Sequence, residues 1–310
     1  MILTVTLNPA MDKTVFLPRL TINGTNRVSS TRLDAGGKGI NVSKVVHALG
    51  GDTIAMGILG GESGLYIQHS LAEMNINSVF TMSETPTRTN IKLMDESMHS
   101  ATEINERGGA VEQEAFDEVF ENLKRRVHPG DYVIFAGTVP PQTPEDLVAC
   151  WTREMKQLGA RVCLDMTGAP MLRAIEEHPF LIKPNKSELE DLCGRHLYYD
   201  IDVIAAAKEL VEQGIERVAV SLGAEGALFV TDTQVFRGFT VKVPVKGQTG
   251  AGDSMMAALA YYTEQGYSWY DTCLRAMAIS SAHVTHPGSE TATAAEMESL
   301  LSGVRLDELM

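Results

Sequence analysis

The strongest constraint on the fold is an alternation that runs through most of the chain. Short β-branched or apolar runs at Ile2 to Leu7, Thr53 to Leu59, Asn77 to Thr81, Asp131 to Ala136, Arg161 to Leu164, Phe180 to Ile182 and Arg217 to Ser221 read as strands. Between several of them lie segments with helical character, such as Gly64 to Met74, Glu112 to Val127 and Asp202 to Gln213. Strands and helices in that order form βαβ units, which build a parallel sheet. The pattern breaks twice. Thr14 to Leu17 and Arg27 to Leu33 flank the turn dipeptide Asn23-Gly24, and Arg88 to Met94 and Thr102 to Ile104 flank the polar stretch Asp95 to Ser100. Two β insertions, over about residues 12–34 and 86–106, predict a small lid across the strand ends. Thr143-Pro144-Glu145-Asp146 reads as a helix start, and a terminal hairpin is expected around Asp232. Further helices are expected from about Gly250 to Glu264, from Trp269 to Val284 and from Thr293. No repeat, low-complexity tract or linker interrupts the 310 residues, so one domain over 1–310 is expected.

Charge narrows the partners. Forty acidic against 26 basic residues give a formal net charge of −14, which argues against nucleic acid or an anionic membrane surface. A phosphorylated ligand would therefore need a local cluster of cations. The N-terminal Met-Ile-Leu-Thr-Val-Thr-Leu has no charged lead, and no segment approaches about 18 uninterrupted apolar residues. A soluble cytoplasmic protein is expected. Cys150, Cys163, Cys193 and Cys273 are scattered without a C-x-x-C pair and read as buried free thiols.

Chemistry concentrates in Gly247-Gln248-Thr249-Gly250-Ala251-Gly252-Asp253-Ser254, which runs straight into an apolar helix. A glycine turn at a helix start presents free N–H groups to an anion, and Asp253 could take a proton from a hydroxyl attacking a phosphate held there. A plain loop capped by Asp253 fits this segment equally well. Ala35 to Val42 is a second glycine-rich helix entry, with Gly37, Lys38 and Asn41, but it is neither a Walker A loop nor G-x-G-x-x-G. Asp12 follows a strand end, where open α/β sheets place ligands, or is a solvated loop acid. Arg88 and Asn90 share one strand face; Arg88 is a phosphate clamp or a surface charge. Asn185 and Glu188, three apart at a helix start, could organise the waters around Mg²⁺ or form a helix cap. His283 and His286 have no third partner for a metal.

In combination, Thr6 to Asp12, Gly36 to Val42, Lys183 to Glu188, Ser221 to Gly223 and Gly250 to Asp253 resemble the ribokinase-like (PfkB) carbohydrate kinase family over essentially the whole chain. Thr102-Glu103-Ile104-Asn105, with the first two of these, is similar to the branch that phosphorylates hexose phosphates. The resemblance implies an α/β three-layer sandwich with a mostly parallel sheet and a β lid, and an ATP- and Mg²⁺-dependent sugar-phosphate kinase. Asp253 would then be the catalytic base, and the amides of Gly250, Ala251 and Gly252 the anion hole. Asp12, Gly37, Lys38, Asn41 and Thr138 would hold the sugar, with Arg88 and Arg27 on its phosphate. Lys183, Asn185, Ser221, Gly223, Gly226 and Ser280 would line the nucleotide site, and Asn185 and Glu188 would reach Mg²⁺ through water. K⁺, held by carbonyls near Gly247, Thr249, His283 and Gly288, and a homodimer joined through the lids complete the expectation. Four residues depart from the pattern: Gly247 stands where Asp, Asn or Ser is common, Gln248 where Thr or Ser is, Thr138 where Ser is, retaining a hydroxyl, and His283 replaces a small residue. A dinucleotide oxidoreductase lacks its glycine fingerprint here, and a non-catalytic sugar-phosphate sensor would have no need of Asp253.

Overall fold

The structure is a computed structural model that describes residues 1–309. The chain opens with β1 (Ile2–Thr6), makes β2 (Ala10–Leu17) and β3 (Ser30–Gly36), and returns through α1 (Lys38–Ala48) to β4 (Thr53–Leu59), α2 (Gly61–Glu73) and β5 (Asn77–Met82). A second excursion makes β6 (Arg88–Asp95) and β7 (Ser100–Asn105). The alternation resumes with α3 (Gln113–Lys124), β8 (Tyr132–Gly137), α4 (Leu147–Gln157), β9 (Arg161–Met166), α5 (Ala169–Ile175), β10 (Leu181–Ile182), α6 (Lys186–Cys193), α7 (Asp200–Glu212) and β11 (Arg217–Ser221). It ends with β12 (Ala227–Val230), β13 (Val235–Phe239), α8 (Ala251–Glu264), α9 (Trp269–His283), α10 (Ala294–Leu301) and β14 (Arg305–Glu308).

Ten strands form the main sheet in the order β14-β13-β12-β11-β10-β9-β8-β1-β4-β5. From β5 to β11 every pairing is parallel, and β12, β13 and β14 add an antiparallel edge. A parallel sheet must be covered on both faces, and successive side chains of a strand point to opposite faces. Val133 and Phe135 of β8 accordingly pack with Phe116, Val148 and Ala206, whereas Tyr132 and Ile134 pack with Val42, Met256 and Ile279. The result is the ribokinase-like sandwich, helices on either side of one sheet. The lid is a separate four-stranded sheet, β3-β2-β6-β7, in which β2 and β6 run parallel and join the two hairpins. No helix among the described residues is long and apolar enough to cross a membrane.

Several local expectations need correction. The Thr143 hydroxyl donates to the Pro140 carbonyl at 2.7 Å instead of capping a helix, so Pro144 stays in a turn and α4 begins at Leu147. Asp12 lies within β2, paired across to Asp34 and Asn90, and not in a loop after β1. Cys150 is exposed, whereas Cys163 and Cys273 are buried. The sequence reading also missed α5 and β14; Arg-Leu-Asp-Glu carries a single apolar residue, and only pairing with β13 makes it a strand.

Candidate active site

The site forms where the N-terminus of α8 meets the carboxyl ends of the parallel strands. Gly250 precedes the helix with φ near +90°, a left-handed value that favours glycine. Ser254 N–H donates to the Gly250 carbonyl at 2.8 Å, and Asp253 stands in the first helical turn. Ala251 N–H reaches the Gln248 carbonyl at 3.3 Å, so one of the three amides expected in the anion hole also closes the turn. Ser280 Oγ donates to the Ala251 carbonyl at 2.9 Å and ties α9 to this entry. The free amides and dipole of a helix start favour negative charge.

Around Asp253 the fold collects Asn41 and Lys38 from α1, Asp165 from β9 and Lys183 from the connection after β10. Asn41 of α1 donates from Nδ2 to Asp253 Oδ2 at 2.8 Å. Asp165 at the end of β9 accepts from Lys38 Nζ at 2.8 Å and lies 3.1 Å from Lys183 Nζ as an ion pair. A methyl built on Gly252 would lie 3.1 Å from that Lys183 nitrogen, which sets the ammonium against the start of α8. Burial, and then the Asp165 carboxylate, push the Asp253 carboxyl up to about 6, while Asn41, Lys38 and Lys183 oppose the shift. Burial pushes Asp165 up as well, but Lys183 and Lys38 overcome it and hold that carboxyl below its usual range. Burial disfavours the Lys38 ammonium, yet Asp165 and Glu188 keep its pKa raised. Asn41 Oδ1 is buried without a partner and is free to accept from a ligand hydroxyl.

The lid closes one side of this cluster. A cavity of about 210 Å³ is lined by Asp12, Asn90, Lys92, Asn105 and Thr249 among others. Asn90 Nδ2 donates to Asp12 Oδ1 at 2.9 Å, and Lys92 Nζ donates to Thr249 Oγ1 at 3.2 Å, linking lid and glycine loop. Arg88 stands at the lid's base, half-buried, with Nη1 on the Glu106 carbonyl at 2.7 Å and Nε on the Asn8 carbonyl at 3.3 Å. Asn8 in turn donates to Thr138 Oγ1 at 3.1 Å. Gly37, at φ 123°, precedes α1 and lets Lys38 and Asn41 start beside β1. Arg27 is exposed between β2 and β3, and is not among the residues lining that cavity.

A cavity of about 310 Å³ is lined by Asn185, Ser187, Tyr198, Ser221, Gly223 and Glu225, among others. Gly226 is not among its lining residues; a methyl there would lie 2.1 Å from the Gly238 carbonyl, so the close β12–β13 pairing requires glycine. A larger cavity of about 550 Å³ behind β3 is lined by Arg32, Asp34, Lys44, His47 and Tyr66. Asp253 lines none of these cavities; the one beneath the lid reaches the glycine loop at Thr249, whereas the largest shares only Asp34 and Ser289 with it.

Comparison with known proteins shows the family of the chain. Residues 6–296 match the pfkB family carbohydrate kinase profile. The chain belongs to the pfkB family of carbohydrate kinases. It is 38% identical over 260 residues to a 1-phosphofructokinase of Bacillus subtilis (strain 168), covering 83% of this chain and 84% of that one. In fold it is similar to phosphofructokinase-2 from Escherichia coli in complex with potassium, at a TM-score of 0.93 and 27% identity, over 97% of this chain and 98% of that one. The same enzyme in complex with fructose-6-phosphate matches at a TM-score of 0.91.

Asp165 is the functional candidate that sequence reading passed over. It was visible only as the acid ending β9, and the position itself, the carboxyl end of a parallel strand, was the signal. Asn185 and Glu188 form a full capping box, with Glu188 N–H donating to Asn185 Oδ1 at 2.9 Å and Asn185 N–H to Glu188 Oε2 at 2.8 Å. Glu188 Oε1 is left over from the cap and lies 3.7 Å from Lys38 Nζ. A pfkB kinase that uses Mg²⁺ would fit it there, since Mg²⁺ at phosphate sites takes few protein oxygens and keeps water and phosphate ligands.

Proposed function

We propose that this chain transfers a phosphoryl group from ATP to a hydroxyl of a ketohexose monophosphate, with fructose 1-phosphate as substrate and fructose 1,6-bisphosphate as product. The observation that carries the reading is Asp253: a buried carboxyl with a pKa near 6, next to the start of α8, flanked by Lys38 and Lys183. Such a group is ionised at neutral pH yet basic enough to take a proton. The hydroxyl oxygen attacks the terminal phosphorus as its proton moves to Asp253, and the bond to the leaving nucleoside diphosphate breaks. Asn41, through its open Oδ1, orients the acceptor. Lys183 and the α8 amides stabilise the equatorial oxygens of the transferring group. Mg²⁺, bound beside Glu188, would supply charge neutralisation on the nucleotide phosphates.

Asp12 and Asn90 would grip the sugar beneath the lid, and Arg88 its phosphate, with bidentate geometry that a lysine lacks. The resemblance to a 1-phosphofructokinase supports fructose 1-phosphate. Tagatose 6-phosphate remains the second reading, and fructose 6-phosphate enters through the structural relative that binds it. A coupled assay across these three sugars tests the reading: turnover on fructose 1-phosphate should exceed the others by about tenfold or more, the discrimination that one well-placed contact of about 1.4 kcal/mol provides. Absence of ATP consumption with all three would favour a sensor instead. We also infer a dimer through the lids. Every residue of β7 is exposed, as are the apolar Ile22, Val28, Leu33 and Ile104, and exposed strand edges are usually covered. A monomeric mass in sedimentation at micromolar concentration would overturn that assembly.

A further inference from the structure

The resemblance implies K⁺ on the carbonyls around Gly247, Thr249, His283 and Gly288, and a structural relative is known with potassium bound. The groups present in this chain do not fit an ion there. His283 ends α9, is 2% exposed, and brings Nε2 to 2.9 Å from the Thr249 carbonyl oxygen. A carbonyl can only accept, so Nε2 carries the hydrogen and donates it. The imidazole backs onto the turn, where a methyl built on Gly250 would lie 2.6 Å from Nε2. A second group stands at Gly288. Arg32 of β3, paired with Asp34 at 2.8 Å, approaches Gly288 so closely that a methyl there would lie 1.6 Å from its Nη2. Gly247 is likewise pressed against the facing loop, 2.9 Å separating a methyl built on it from the His286 carbonyl. A dehydrated K⁺ needs several carbonyl oxygens in place of its water shell. Here one is already hydrogen-bonded, a guanidinium sits against Gly288, and the loops have closed together.

We propose that His283 is a positioning residue that takes the place of the monovalent cation. The Thr249 carbonyl and the Gly250 N–H belong to one planar peptide. By fixing the carbonyl, His283 fixes the direction of that N–H at the entry to α8. Burial lowers the pKa of His283, against the opposing effect of the Thr249 carbonyl, so the donor is an uncharged imidazole at neutral pH. The departures at Gly247 and His283 then form one substitution: a bulky donor from α9 fills the space and Gly247 lets the loops meet around it.

The proposal rests on the kinase reading only for its turnover readings; the melting comparison needs no substrate. In K⁺ and in tetramethylammonium chloride at equal ionic strength, the wild-type protein should show turnover equal within about twofold, and K⁺ should not raise its melting midpoint. His283→Ala frees the Thr249 carbonyl. It should lower kcat about tenfold or more in tetramethylammonium, as expected for loss of a buried hydrogen bond, with KM for the sugar phosphate nearly unchanged. K⁺ should restore much of that loss and raise the variant's melting midpoint. His283→Gln, which keeps an amide donor, should retain activity without K⁺. Wild-type turnover that falls about tenfold without K⁺, or a wild-type midpoint raised by K⁺ over tetramethylammonium, overturns the proposal, as does a fully active His283→Ala indifferent to K⁺. If His283→Ala does not fold, the two wild-type measurements decide. Turnover absent on every sugar phosphate would count against the kinase reading, and the wild-type melting comparison would still test His283.

Discussion

Replacing Asp253 by asparagine should remove activity and stabilise the fold at the same time. The carboxyl is raised from 3.8 to about 6 in the folded protein, roughly two pK units. At about 1.4 kcal/mol per unit, the ionised group therefore costs the native state about 3 kcal/mol at neutral pH. The amide introduced by Asp253→Asn would keep the hydrogen bond from Asn41 without that charge, and its extra N–H groups must find partners, so a gain of about 1–3 kcal/mol is expected. The sign follows from linkage. Because the folded pKa is above the unfolded one, the native state keeps its proton between about pH 4 and pH 6 after the unfolded chain has lost it. The contribution of this group is thus fully present below about pH 4 and is lost as pH rises through about 6. Urea unfolding of the two proteins at about pH 4 should differ little, and at about pH 7 the variant should unfold at higher denaturant. Over the same comparison kcat should fall by about 10² or more, the usual scale for a general base. A variant less stable than wild type at about pH 7 that still turns over within about tenfold of it would refute both the raised pKa and the assignment of the base.

Other consequences concern the surrounding groups. The kcat/KM profile should fall with unit slope as pH drops below about 6, because Asp253 must be ionised to accept a proton; a profile flat to about pH 5 would contradict this. Asp165→Ala leaves Lys183 buried without its acid, while the more exposed Lys38 keeps Glu188 nearby, and denaturation should show a loss of about 3 kcal/mol. Arg88→Ala should raise KM for the sugar phosphate about tenfold while moving that for ATP less than about twofold, reflecting a charge-assisted contact of about 1.5–3 kcal/mol; the reverse pattern in steady-state kinetics would exchange the two assignments.

Much of the fold was legible because its cause is local. Buried parallel strands must be rich in β-branched residues and separated by helices, and that rhythm is visible from Ile2 to Ser221. What escaped depended on partners far away in the chain. Thr143 has the chemistry of a cap, but the Pro140 carbonyl reaches its hydroxyl first. β14 exists only because β13 has an edge to extend. At the site, Asp253, Asn41 and Lys38 announced themselves through glycine-rich surroundings. Asp165 did not, since an acid after a short strand looks like any surface acid until two lysines converge on it. Gly226 stands in a suggestive loop, and the Gly238 carbonyl behind it gives a separate, structural reason for glycine there.

The parallel pairing of β2 with β6, Ala10 to Leu17 against Arg88 to Asp95, bears on how this chain can tolerate length changes. It makes two hairpins from distant parts of the sequence into one blade, with Asp12 and Asn90 facing each other across the seam. Shifting either strand by one residue would turn its side chains to the opposite face and part that pair. Insertions and deletions should therefore be accepted at the hairpin tips, around Asn23-Gly24 and Met98-His99, and rejected in the short connectors Leu7 to Pro9 and Ser83 to Thr87. A library of single-residue insertions would map the lid as two permissive tips joined by an intolerant seam.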